Sequence, residues 1–113
     1  FRRVLFRSGN VVEVAGTTAI DENGEVVGRN DAYEQTRFIF KKIAYALEQV
    51  GAGMQHVTRV RMYVTDITPW EEIGKAHREV FEGINPASTM VEVKGLIDER
   101  LIVEIEVSAI VDN

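Results

Sequence analysis

Few side chains in this sequence carry chemistry, and they stand far apart. Ser88, His77 and Glu104 supply a hydroxyl, an imidazole and a carboxylate, the three types that a serine nucleophile needs. No glycine pattern of the kind that lifts a nucleophile onto a tight turn surrounds Ser88, so the types are present without their local motif. His77 falls beside Ile73, Ala76 and Val80 at helical spacing and reads as a packed, hydrogen-bonded histidine. His56 stands just before an extended run, reads as exposed, and is too distant from His77 to make a paired metal motif. Glu104 admits two readings, a site carboxylate or half of an ion pair with an arginine on the same sheet. Ser88 and Thr89 either hydrogen-bond a polar ligand or satisfy backbone where a strand begins. Gly16 is more specific, because a small residue at a strand end lets a ligand or another backbone approach closely. Trp70, at a helix start, reads as a packing anchor, and Asp21, Glu22, Glu71 and Glu72 as turn, cap and solvent residues.

Composition narrows the rest. The 113 residues are 45% apolar, enough for one core, and the expectation is a single domain over 1–113. There is no cysteine, so a disulfide framework, a thiolate nucleophile and sulfur-ligated zinc are all excluded. A net charge of −5 argues against a nucleic-acid partner, since phosphate binding needs clustered Lys and Arg. The basic opening, Arg2, Arg3 and Arg7, reads as a solvated edge strand rather than a binding arm. No apolar run reaches membrane-spanning length and no signal-peptide core stands out, so the expected location is cytoplasmic, with no membrane partner. The chain opens on Phe1 rather than methionine, which leaves room for residues upstream.

The elements that must position these residues follow from periodicity. Val4 to Phe6 and 11–15 are extended, joined by a turn at Ser8-Gly9-Asn10. Asp21-Glu22-Asn23-Gly24 is a second turn, leading to the apolar pair Val26-Val27. Over 31–50 the period changes to three and four residues: Tyr33, Thr36, Phe40, Ile43, Leu47 and Val50 form one helical stripe, with Asn30 or Asp31 to cap it and Gly51 to end it. A strand spans 57–65, with Val60, Met62 and Val64 on one face and Arg59, Arg61 and Tyr63 on the other. Thr68-Pro69-Trp70-Glu71 reads as a capping box opening a second helix, whose buried side is Ile73, Ala76, His77, Val80 and Phe81 and which ends near Gly83. Strands at 89–93 and 102–111 complete the chain. This order of strands, helix, strand, helix, strands predicts an α/β (α+β) fold: one mixed sheet with both helices on a single face.

The other face is then uncovered. Val103, Ile105, Val107 and Ala109 point toward the helices, while Glu104, Glu106 and Ser108 point away, with Arg59, Arg61, Glu92 and Glu13 on the same side. Val11, Met90, Tyr63, Ile102 and Ile110 are expected to join them. Apolar bulk mixed with both signs of charge suits a symmetric subunit interface better than plain solvent.

Four blocks of the chain carry a resemblance. Gly9-Asn10-Val11-Val12-Glu13-Val14-Ala15-Gly16-Thr17-Thr18, Arg61-Met62-Tyr63-Val64-Thr65-Asp66-Ile67, Pro86-Ala87-Ser88-Thr89-Met90-Val91-Glu92-Val93 and Val103-Glu104-Ile105-Glu106-Val107 occur in order and span nearly the whole chain. Together they resemble the Rid (RidA/YjgF) family. The resemblance implies a chorismate-mutase-like fold, a barrel-like homotrimer, a small-molecule pocket at each subunit interface, and no cofactor and no metal. It also implies hydrolysis of reactive imines and enamines to 2-oxo acids and ammonia: an arginine grips the substrate carboxylate, backbone near a glycine orients the imine, and a glutamate-held water attacks the C=N carbon.

Carried over by position, the glycine is Gly16, with Thr17 after it, and the catalytic glutamate is Glu104. The arginine's place is taken by Ser88, with Thr89 next to it, and an asparagine common on the second helix is replaced by Gly74. A serine has neither charge nor a two-pronged donor. The resemblance therefore implies a metabolite-binding scaffold of this family, with imine deamination as one activity, a non-catalytic or chaperone-like binding module as another, and endoribonuclease activity as a third that the acidic charge disfavours.

Overall fold

The computed structural model describes residues 4–112; Arg2 and Arg3, expected at the edge of the sheet, lie outside them. Five strands form one mixed sheet in the order β1-β2-β5-β3-β4. They are β1 (Leu5–Ser8), β2 (Val11–Thr18), β3 (Val57–Val64), β4 (Ala87–Glu92) and β5 (Val103–Ile110), with helices α1 (Ala32–Glu48) and α2 (Trp70–Phe81) between them. Only β3 and β4 run parallel; the remaining neighbours are antiparallel. The β3–α2–β4 segment is thus a crossover unit, and β2–α1–β3 is a second with β5 inserted between its strands.

Local signals explain the elements. Gly9 takes φ +57 in the two-residue turn between β1 and β2, a conformation that β-branched residues avoid. Asp31 caps α1 by accepting the Glu34 amide at 3.0 Å, and Gly51, at φ +76, carries the chain away from its end. The capping box expected at α2 does not form. Pro69 is the N-cap residue and no side chain caps the helix. Asp66 instead accepts the Thr68 amide at 2.9 Å, and the bonds from Thr68 hold its carboxyl below the usual carboxylate range. A short aspartate folding back on the next amides competes directly with a threonine cap. Trp70, expected to anchor packing, is 56% exposed. His56, expected to be exposed, is half-buried and accepts the Gly53 amide at Nδ1, 3.0 Å away.

Both helices cover one face. Ile39, Phe40, Ile43 and Leu47 of α1 and Ile73 and Phe81 of α2 join Val12, Val14, Val60, Met62, Val64 and the inward row of β5 in one core. Each such side chain contributes roughly 1.5–3 kcal/mol by leaving water. Phe40 and Phe81 meet edge-to-face with centroids 5.3 Å apart. The buried polar groups are satisfied: Gln35 donates to the Arg100 carbonyl at 3.1 Å and accepts the Ile102 amide at 2.8 Å, tying α1 to the entrance of β5. Lys42 likewise donates to the carbonyls of Thr18 and Ile20, fixing the exit of β2.

Two strands bulge. Val14 pairs with Val107 and Thr17 with Ile105, so Ala15 and Gly16 together oppose Glu106. The extra residue turns Thr17 inward, where it is 7% exposed, and bends β2 beside β5. A second bulge, at Thr58, keeps both Val57 and Val60 on the core side.

Candidate functional site

The alternation of β5 puts Val103, Ile105, Val107 and Ala109 in the core and leaves Glu104, Glu106 and Ser108 on the uncovered face. Register then decides their neighbours. Glu104 stands opposite Thr18 on β2 and Tyr63 on β3; Glu106 stands opposite Arg61. The bulge brings the Gly16 backbone under the Glu104 carboxylate: a Cβ placed on Gly16 would lie 2.0 Å from Oε2. Only glycine leaves that volume to the carboxylate. Of the residues expected in the site, Gly16 and Glu104 are brought together.

The neighbouring groups form a hydrogen-bonded set. The Tyr63 hydroxyl donates to Glu106 Oε1 at 2.6 Å, and that bond, with a smaller contribution from burial, raises the phenol above its ordinary pKa. Arg61 Nη1 is 3.9 Å from the same Glu106 oxygen. Arg59 Nη2 donates to Thr89 Oγ1 at 2.8 Å, and the Ser108 hydroxyl donates to Glu13 at 2.5 Å. Glu104 thus sits in a row of polar side chains crossing all the inner strands.

The remaining expected residues fall elsewhere. Thr17 points into the core and donates its hydroxyl to the Ala15 carbonyl at 2.9 Å. Thr89 shares the uncovered face but lies on β4, beyond β3 from Glu104. Ser88 pairs with buried Val60 and therefore points to the helix side. There its hydroxyl donates to the Pro86 carbonyl at 3.1 Å and lies 2.8 Å from Nε2 of His77. Because that hydroxyl's proton goes to Pro86, the imidazole is the donor to Ser88. His77 is packed against Phe40 and Phe81, and burial lowers its pKa. Gly74 is one helical turn before His77, with open space at its Cβ position. Within one chain a Ser88–His77–Glu104 triad is ruled out, because the sheet separates the first two from the third.

The structure also corrects the face assignment of β4 and its surroundings. Met90 and Ile102 pack against the core, and Glu92, paired with Val64, accepts the Ile67 amide at 2.9 Å. Thr89 and Val91 occupy the uncovered face instead. Val11, Ile110 and Tyr63 lie there as expected. The Tyr63–Glu106 tie and the Gln35 clamp were not anticipated. A glutamine on the buried side of a helical stripe, three residues from Ala32 and four from Ile39, is the signal that could have revealed the clamp.

Two hollows lie apart from Glu104. One of about 280 Å³ touches Phe6, Glu13, Arg61 and Glu106; the other, about 830 Å³, lies between α1 and the β1 side of the sheet, beside Ile20, Phe38, Lys42 and Tyr45. Among the described residues there is no cluster of three or more metal-ligating side chains and no helix long and apolar enough to cross a membrane.

Comparison with known proteins agrees with this architecture. A crystal structure from Mycobacterium tuberculosis, of a member of the YjgF/YER057c/UK114 family, superposes with a TM-score of 0.86 at 42% identity, covering 96% of this chain and 85% of that one. An uncharacterized protein of Streptomyces coelicolor is 36% identical over 102 residues, 90% of this chain and 75% of its own length. The 3-aminoacrylate deaminase RutC of Acinetobacter baylyi is 31% identical over 99 residues, 88% of this chain and 78% of its own. The model of the endoribonuclease L-PSP family matches residues 2–111, and with these relatives it shows that the chain belongs to that family, the YjgF/Rid proteins.

Proposed function

We propose that the protein hydrolyses an imine or enamine at Glu104, in pockets completed where subunits meet. The observation that carries this reading is the Glu104 carboxylate resting over the side-chain-free backbone of Gly16. A carboxylate there can hold a water and take its proton as the oxygen adds to a C=N carbon. The same proton then passes to nitrogen, the carbinol hydroxyl gives its own proton to the departing nitrogen as the C–N bond breaks, and a carbonyl compound and ammonia leave. Water and one carboxylate suffice, so the reaction needs no cofactor and no metal. The similarity to a 3-aminoacrylate deaminase supports this chemical class.

The uncovered face supports the subunit arrangement. Val11 and Ile110 are paired there and 43% and 48% exposed, beside a charged row, a mixture suited to the centre and rim of a homotrimer interface. Ser88 and Glu104 lie on opposite faces of one chain, so a pocket using both draws them from different subunits. Light scattering after size exclusion tests this; a monomer would remove the interface and the shared pocket. A cytoplasmic location accords with a metabolite-level role. A second reading, binding without turnover, is favoured by Ser88, which offers no charge where the resemblance calls for an arginine. The endoribonuclease reading gains little from a face with three glutamates and two arginines, and salt-dependent RNA binding is the result that would revive it.

The direct test is hydrolysis of small imines generated in situ, by the parent and by Glu104→Gln. Loss of the general base is expected to lower turnover on the order of 100-fold or more with the urea midpoint unchanged. Equal rates for parent and variant would remove Glu104 from the chemistry, and saturable product binding without turnover would select the second reading.

A further inference from the structure

The charges around Glu104 narrow what it can act on. Among the described residues, Glu13, Glu104 and Glu106 share the uncovered face with Arg59 and Arg61, leaving an excess of one negative charge. Neither guanidinium stands free beside Glu104. Arg59 donates to Thr89 on β4, with β3 between it and β5. Arg61 neighbours Glu106, which offsets its charge. On the other face, the Ser88 hydroxyl is committed to Pro86 and His77.

Gripping a carboxylate takes an uncommitted, charged, preferably forked donor, and an acid placed at Glu104 would meet Glu104 and Glu106 as like charges. A cation would meet them as partners. A C=N nitrogen becomes a cation when it takes a proton, and the protonated form is the better electrophile. Carboxylates nearby favour that form.

We infer that the Glu104 site takes imines without a carboxylate, which react as protonated iminium ions, in preference to imino acids. The inference rests on the hydrolase reading above. In the reaction, the π pair of R2C=NH2⁺ moves to nitrogen as a water oxygen bonds to carbon and a water proton passes to Glu104. Glu104 returns that proton to nitrogen, the C–N bond breaks, and the carbinol proton leaves with ammonia. The products are R2C=O and NH4⁺, and no oxidant or reductant is consumed.

A matched pair of substrates tests it. Benzylamine with a flavin amine oxidase supplies benzaldimine, and phenylglycine with an amino-acid oxidase supplies 2-imino-2-phenylacetate; the two differ by one carboxylate. The expected result for the oligomeric protein is kcat/KM at least roughly tenfold higher for benzaldimine, the order expected when like charges at an effective dielectric near 20 disfavour the acid. Glu104→Gln should abolish turnover, and Glu106→Gln should shrink the preference several-fold. An equal or reversed preference, with Glu104→Gln still inactive, would overturn the inference and leave the hydrolase reading standing. Acceleration of neither imine by the parent would overturn both.

Discussion

The two faces of the sheet are built from the same strands and differ in almost every physical respect. On the helix side Val12, Val60, Val64, Val103, Ile105 and Ala109 are fully buried, and the polar groups among them, Thr17, Gln35 and Thr36, are hydrogen-bonded. On the other side Glu104, Glu106, Arg61 and Tyr63 are half-exposed, with Tyr63 and Arg61 both directed at Glu106. Strand alternation allows this division: each residue of β5 is committed to stability or to the polar face, and its neighbour to the other. Substitutions on the two sides should therefore fall mainly into folding effects and chemical effects, with the Gln35 clamp at the start of β5 linking the two.

The largest effect is expected in the core. Phe40→Ala removes a fully packed ring and should cost about 3–5 kcal/mol, read as a lower urea midpoint, whereas Glu104→Gln should leave that midpoint in place. A Phe40→Ala midpoint equal to the parent's would mean the helix side is not where stability resides. Next comes Gln35→Leu, which strands the Arg100 carbonyl and the Ile102 amide and should cost about 1–3 kcal/mol. Since β5 begins just after this clamp, turnover should fall as well; lost stability with full turnover would mean that Glu104 is positioned without it. Gly16→Ala inverts the pattern. Its Cβ displaces the Glu104 carboxylate, so turnover should drop at least about tenfold, with the urea midpoint moving far less than for Gln35→Leu. An active Gly16→Ala variant would separate the glycine from the chemistry.

The smallest effect concerns His77, whose pKa burial lowers. Its folded pKa lies below the unfolded value of 6.5, so the unfolded chain binds the proton more readily. Stability is then fully present above pH 6.5 and declines as the pH falls through the folded value. The urea midpoint of the parent should decrease between pH 7 and pH 5 more than that of His77→Gln. Identical slopes would place His77 in solvent-like surroundings in the folded state.

Much of this division was legible in the sequence because β3 and β5 alternate strongly. Val60, Met62 and Val64 against Arg59, Arg61 and Tyr63 leave one register possible, and the structure has it. Strand β4 was read on the wrong face because it lies at the edge of the sheet and buries little on either side. With Met90 and Val91 adjacent, hydrophobicity cannot choose which of them faces the helices. Register with β3 chooses Met90, and carries Ser88 and Glu92 with it. The closeness of Gly16 to Glu104 depends on a bulge that spacing alone does not reveal, since the extra residue shows only once β2 and β5 are paired. The missing cap at α2 has a similar origin: Thr68 fits the pattern, but Asp66, two residues earlier, takes its amide first.

Strand β5 is the last to be synthesised, yet it lies in the middle of the sheet, hydrogen-bonded to β2 on one side and β3 on the other. Until residues 103–110 leave the ribosome, the β1–β2 hairpin and the β3–α2–β4 unit share no ladder, and Val12, Val14, Val60 and Val64 have no strand between them to pack beside. Most of the sheet's pairings therefore join distant parts of the chain and close late, a topology that folds slowly and only once β5 is available. The strand that carries Glu104 is also the one whose arrival closes the sheet, so a nascent chain acquires its candidate catalytic carboxylate and its cooperative fold in the same step.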